Sequence, residues 1–397
     1  MNNLFHFFHR SLVTGHWSLL RTGRKKQDLG LQIFILLVAV ITALVCLPAW
    51  AADDWQQAIG ERSWSFPRDH GAHPEFRTEW WYFTGNLLDG AGNRYGYQLT
   101  FFRQGVRLIP ADPKNPWSLR DLYLAHFTVT DVSNDKFLFA EQVTRSGPGI
   151  SGAAAYGMNV WNLGWSAKMK GDAIHLRAAH EGTELSLELK PRKPLILQGD
   201  RGLSRKGSGY GQASYYYSFT DLATRGTIRT ADSQMPVTVK GVSWFDQEFG
   251  SNVLSRDQVG WDWFSIHLSD GRDLMLFFLR KKDRTVEEES SGTLVEPDGK
   301  SRYLKLDEIQ LEALGTWKSP RSGGAYPDRW RIRISAAGID LQIAPLVADQ
   351  ELNTSGSTRV TYWEGAVSGK GTSAARQITC EGYVEMTGYA GSLGGVF

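Results

Sequence analysis

The chain has 397 residues, with 42% apolar and 22% charged side chains and a formal net charge of +2. That is enough for about two domains, and the composition excludes disorder, a collagen-like repeat and a many-span membrane protein, while so balanced a charge speaks against a dedicated nucleic-acid binder. The uneven feature is aromatic: 15 Trp, 14 Tyr and 19 Phe favour β-structure with wide apolar faces or aromatic-lined pockets.

Residues 1–51 read as an export segment. Arg10, Arg21, Arg24, Lys25 and Lys26 stand against one acid, Asp28, and precede an apolar run from Ile33 to Leu47. Pro48 and the small-residue pattern Ala49-Trp50-Ala51 follow, as at a signal-peptide cleavage site. Cleavage after Ala51 leaves 346 residues (397 − 51) with 39 basic and 41 acidic side chains, a net charge of −2. The alternative is an N-terminal membrane anchor, although the run is short for a spanning helix of about 20 residues. Either way the expectation is an exported protein, periplasmic or anchored facing the periplasm. Cys46 lies in this segment, so Cys380 alone remains for the mature chain, which excludes an intramolecular disulfide and a cysteine metal site.

Beyond residue 51 the predicted elements are strands. The runs 97–103, 122–130, 184–190, 273–280, 330–334 and 339–344 are rich in β-branched and aromatic residues, alternate with period two and are separated by Gly, Asp and Asn turn signals. The stretches 281–301 and 318–328 read as hairpin tips and loops. WYFTGNLLDG (81–90) and WFSIHLSDG (263–271) match apart from one deletion. With Trp81 and Trp263 182 residues apart (263 − 81), they predict a duplicated hairpin in two all-β halves, 52–228 and 229–397.

Three clusters carry candidate chemistry. The first, FPRDHGAHPEFRTEWWYFTGNL (66–87), packs Asp69, His70, His73, Glu75 and Glu79 just ahead of Trp80, Trp81 and Tyr82. The two imidazoles lie in a Gly/Pro loop rather than on a helix face where both would converge, so no metal site is assigned. This cluster is either part of a ligand site or a loop lock in which Asp69 and His70 bond backbone groups at the barrel mouth. In the second, GVSWFDQEFG (241–250) and GWDWFSIH (260–267), alternation places Trp244, Asp246 and Glu248 on one strand face. Trp261 and Trp263 share a face, Asp262 takes the other, and His267 closes the segment. Carboxyls among aromatics must be paired, hydrogen-bonded or protonated, and a protonated one suits acid catalysis on an uncharged substrate; bonds from indole N–H groups or strand-end backbone are the structural alternative for Asp246 and Asp262. In the third, Tyr362 shares a face with Glu364, and Tyr383 with Glu385; a solvent-facing closing strand is the alternative there.

These motifs, in this order and spacing, resemble the carotenoid 1,2-hydratase (hydroxyneurosporene synthase) and AttH-like family of lipocalin-like proteins, over roughly residues 55–395. The resemblance implies two tandem lipocalin-like β-barrels and, in the members that are hydratases, cofactor-free addition of water to the terminal C=C of an acyclic carotenoid. It also links exported relatives to ABC-type export systems. Carried onto this chain, Asp246, seconded by Glu248, protonates the alkene; Trp244, Trp261 or Trp263 faces the resulting cation; and a His or Tyr positions the water. Gln247 stands where some relatives have His, which weakens that assignment. The expectation is therefore an exported binder of a lipid- or isoprenoid-like ligand. A hydratase without cofactor is the alternative, and a surface attachment factor with exposed aromatic patches a further one.

Overall fold

The computed structural model describes residues 55–393, except Gln234 and Val253. The predicted export segment, with Cys46, lies outside them. Two antiparallel sheets dominate, and the helices described are three single 3₁₀ turns, Arg68–His70, Leu306–Glu308 and Ser335–Ala337. The architecture is all-β, with each sheet curled around its own apolar core in a barrel-like form, as expected from the sequence.

The first sheet runs Lys136–Arg145, Asp121–Asp131, Arg94–Gly105, Thr78–Asp89, Val237–Asn252, Ala213–Arg229, Thr183–Pro191 and on to Ser151–Ala153. The second runs Ser301–Lys305, Ser291–Val295, Asp273–Lys281, Gln258–Leu268, Arg376–Met386, Thr361–Ser373, Ile339–Pro345, Ala325–Ile334 and Gln310–Lys318. Each is a four-strand meander joined through its first strand to the last strand of its own half, so the repeat seen in the sequence is also a repeat of topology. Val237–Asn252 pairs with both Thr78–Asp89 and Ala213–Arg229. The crossing between sheets therefore falls between Asn252 and Gln258, and a boundary at 228/229 would cut through one sheet. A long β-strand that completes an earlier sheet leaves no composition change to mark it.

The repeat also needs a one-residue correction. Counted back from the shared Asp-Gly turns at 89–90 and 270–271, Tyr82 rather than Trp81 is the counterpart of Trp263, and Trp80 that of Trp261. The burial agrees: Trp81 enters the first barrel core, whereas Tyr82 and Trp263 share the cluster between the sheets. In a strand one residue of slip reverses every side chain. A second correction concerns 281–301, where Ser291–Val295, buried throughout, pairs with Asp273–Lys281. Its five residues are hidden in the sequence by the preceding acidic run.

Burial explains how the halves join. Thr183–Pro191 alternates buried and exposed, as a strand with one face in solvent should, but Trp81–Leu87 and Ala125–Asp131 are buried residue after residue. Such strands are covered on both faces. One face fills the barrel with residues such as Phe83, Phe101 and Phe245, or Phe264, Trp330 and Val384. The opposite faces of the two barrels meet in a third cluster that includes Tyr82, Tyr216, Trp244, Trp263, Phe277, Tyr362 and Tyr383. Lys193 pins the seam, donating to Gly271 O at 2.6 Å and pairing with Asp273 at 2.7 Å.

Candidate functional site

The seam holds a cavity of about 120 Å³ whose walls come from both halves. Thr78, Trp80 and Tyr82 enter it from one strand, Gln98, Thr100 and Phe102 from the next, and Asp246 and Glu248 from the strand alongside. The second half contributes Trp261, Trp263, Phe277, Val360, Tyr362, Glu364 and Glu385. The period-two faces predicted for Trp244/Asp246/Glu248, Trp261/Trp263, Tyr362/Glu364 and Tyr383/Glu385 all point into this one seam, with Trp244 and Tyr383 packed beside the cavity.

The duplication orders the acids. Tyr82 pairs with Asp246 across the sheet, and its counterpart Trp263 pairs with Glu385. Asp246 in turn faces Ser218, and Glu385 faces Glu364; two residues back on those strands stand Tyr216 and Tyr362. Asp246 and Glu385 are thus related by the pseudo-two-fold of the repeat, and each accepts an indole N–H, from Trp244 at 2.7 Å and from Trp261 at 3.0 Å.

Their protonation follows from their surroundings. Burial pushes the Asp246 carboxyl up to about 7, against hydrogen bonds from Ser218, Tyr216 (2.7 Å) and Trp244 that favour its anion, with the charge of Glu248 adding to the rise. Burial likewise raises Glu385 to about 7, opposed by the Trp261 bond and reinforced by Glu248 and Asp246. Glu364, buried and directly opposite Glu385, is held well above the carboxylate range by burial first and its neighbour's charge second. Among the described residues one cation, Lys206, faces these acids from the cavity wall: its ammonium sits 2.9 Å from Glu248 and 4.0 Å from the centre of the Phe277 ring. Ser214 also donates to Glu248. Glu248 is therefore paired, whereas the other three carboxyls can carry protons at neutral pH.

The remaining sequence candidates lie elsewhere. Asp69, His73 and Glu79 form a buried cluster on the opposite side of the first sheet, with His73 Nδ1 2.7 Å from Glu79 and Nε2 3.0 Å from Asp69. Arg62 bonds Asp69 at 2.9 Å, and Arg103 bridges Glu79 and Asp121 at 3.2 and 3.1 Å. Gln247 Nε2 donates to Glu79 and to Gly71 O, both at 2.9 Å, and Tyr217 links Gln247 to His70. Burial opposes the Asp69 anion, but bonds from His73, the Ser65 N–H and Arg62 prevail and hold it below the usual range. Burial lowers His70 to about 4, so it stays neutral. This cluster locks the loop, through Asp69 on the Ser65 N–H and not through a backbone bond of the His70 ring, which bonds the Tyr217 hydroxyl. It takes Asp69, His70, His73 and Glu79 out of the cavity, and Trp81 with them, because Trp81 points into the barrel. Among the described residues no group of three or more His, Cys, Asp or Glu is placed to hold a metal. Asp262 lies in the second barrel, bonded to Arg280 at 3.2 Å and to Tyr389 at 3.0 Å; His267 bonds Asp273 at 2.9 Å.

Tyr216, Ser218, Lys206, His126, Gln98 and Phe277 were not foreseen in the site. One signal existed: Tyr215-Tyr216-Tyr217, like Trp80-Trp81-Tyr82, is an unbroken aromatic run that only a strand buried on both faces can accommodate.

Two barrel-like sheets closed over a shared aromatic cavity define a tandem lipocalin-like protein. The chain belongs to the AttH-like family, whose model matches residues 57–389. A Nitrosomonas europaea crystal structure described as an AttH is 34% identical, with a TM-score of 0.74 over 84% of this chain and 99% of that one. Kievitone hydratase from Nectria haematococca shares the fold at 15% identity, with a TM-score of 0.63 over 86% of this chain and 95% of its own. CghA, solved alone and with Sch210972, is 13% identical with a TM-score of 0.50, over 85% of this chain and 97% of its own when solved alone. No curated protein matches.

Proposed function

We propose that the protein binds an apolar, unsaturated molecule of lipid or isoprenoid type in the seam cavity and adds water across a C=C bond without a cofactor. The observation that carries this reading is the pair Asp246 and Glu385, two matched carboxyls raised to about 7 inside aromatic walls. Each is poised to give or take a proton at neutral pH, which is where general acids and bases work best. The acid, Asp246, passes its proton to one alkene carbon, and the π electrons form the new C–H bond. The positive charge left on the adjacent carbon faces the rings of Trp80, Trp261 and Trp263. Water attacks that carbon to form C–O, and Glu385 takes the proton it releases. Glu248, neutralised by Lys206, is not the second acid.

A cavity of about 120 Å³ is near the ~150 Å³ that holds benzene in an engineered apolar site. It therefore fits the end of an isoprenoid rather than its full length. The hydratase among the structures of this fold favours hydration over simple carriage. Export of residues 52–397, and service to an ABC-type system, belong to the same proposal.

Squalene incubated with residues 52–397 in heavy-oxygen water, followed by mass spectrometry, is the test. A gain of one labelled water, reduced at least about 100-fold in Asp246→Asn, is the expected result. Squalene recovered bound and unchanged would make the protein a carrier.

A further inference from the structure

His126 is fully buried in the first sheet, yet its ring reaches across the seam. Its Nδ1 lies 2.8 Å from the Tyr362 hydroxyl in the cavity wall, and its Nε2 2.8 Å from the Ser357 hydroxyl. Ser357 donates in turn to Glu141 Oε2, and the Gly356 N–H fixes the other carboxylate oxygen at 2.9 Å. Glu141 is half-buried and opens the row to the surface.

The polarity of the row follows from donor and acceptor chemistry. A carboxylate only accepts, so the Ser357 proton points at Glu141, and the Ser357 oxygen must accept from His126 Nε2–H. Burial lowers His126 to about 3, so the ring is neutral and the tautomer this network assigns leaves a lone pair on Nδ1. Tyr362 therefore donates to His126, which leaves its oxygen lone pairs for the cavity side, where both Gln98 and Glu364 interact with it; Glu364 lies two residues along the same face, directly opposite Glu385. Every proton in the row points outward. Tyr216, the counterpart of Tyr362 in the other half, has no such outlet: its hydroxyl is occupied by Asp246 and by the Trp263 N–H.

We propose that Tyr362, His126 and Ser357 form a proton conduit joining the Glu364/Glu385 pair to Glu141 at the surface. A proton arriving from Glu364 at the Tyr362 oxygen displaces the Tyr362 proton to His126 Nδ1. The Nε2 proton then moves to Ser357, and the Ser357 proton to Glu141. Four O–H or N–H bonds form as four break, with no change in oxidation state, and the reverse sequence recharges the cavity. In the proposed reaction Glu385 gains the proton that water releases, and the conduit carries that proton out through Glu364, so that Glu385 is again a base for the next turnover; Asp246, which lost one to carbon, takes its proton back from solvent water at the cavity. The purpose given to the conduit rests on that reading. Its existence does not.

The experiment is a pH jump on the mature protein, following by time-resolved infrared the carboxylic acid C=O band that disappears as pH rises through about 7. His126→Gln keeps hydrogen bonds but cannot pass a proton from one ring nitrogen to the other, and Ser357→Ala cuts the row near the surface, where folding is least at risk. Both variants are expected to slow the band about tenfold with its midpoint unchanged, a readout that a merely bracing role would not move. Unchanged rates in a folded variant would overturn the conduit even if squalene is hydrated. Slowed rates with no hydration would keep the conduit and remove the hydratase.

Discussion

The molecule holds two clusters of acids, imidazole and aromatic rings, one on each side of the Thr78–Asp89 strand, and they are built on opposite principles. At the barrel mouth Asp69, Glu79 and Asp121 are matched by Arg62, Arg103 and His73. Burial disfavours a charged His73, but the Glu79 charge, with bonds to Asp69 and Glu79, outweighs it and raises the imidazole. Across the strand Asp246, Glu248, Glu364 and Glu385 line a cavity in which Lys206 pairs with Glu248. Matched charges make a lock; surplus carboxyls, unable to ionise together, make an acid store. The same residue types thus stand as matched charges on one face of the sheet and as surplus acids on the other.

The largest effect should come from breaking the matched side. Arg103→Met leaves Glu79 and Asp121 buried without their cation, and should cost about 3–5 kcal/mol in urea unfolding. Glu364→Gln, which removes a surplus acid, should cost nothing or stabilise; equal losses in both would erase the distinction. Next comes pH. Because folding raises Asp246 from 3.8 to about 7, the unfolded chain releases that proton first, and the stability tied to this group falls as pH rises through that window and is flat above it. The slope is about 1.4 kcal/mol per pH unit, and Asp246→Asn should remove it from unfolding curves measured across pH. The smallest effect sharpens the reactive side. A dimethylalkylamine, charged where the reaction's cation would form, should bind about tenfold tighter than its neutral hydrocarbon isostere. Calorimetry should show that advantage growing as pH rises through about 7 and shrinking in Glu385→Gln; equal binding at every pH would mean the acids do not sense charge in the cavity.

Much of this was legible in the sequence, and the reasons it stopped are physical. Period-two alternation placed Asp246 with Trp244, and Glu364 with Tyr362, because side-chain direction along a strand is a local property. It could not say that these faces meet, since the seam joins Tyr82 to Trp263 and His126 to Tyr362 across long stretches of chain. Nor could it separate lock from site: His73 and Glu79 look as reactive on paper as Asp246, and only the presence of Arg103 and Arg62 beside them settles the matter. Lys206 was invisible because a lone lysine in a Gly/Ser loop carries no pattern. His126, a single histidine inside an apolar strand, carries no pattern either, whereas Tyr216 was signalled only by its aromatic run.

The pseudo-two-fold of the seam has one more consequence. Had the site formed between two separate copies of one barrel, any substitution would strike both sides at once, and the two acids would always be identical. Fusion into a single chain frees each half to drift alone. Asp246 is walled in by Ser218 and Tyr216, while its twin Glu385 stands against Glu364, and one polypeptide can thereby hold a donor and an acceptor that an assembly of equals could not tell apart.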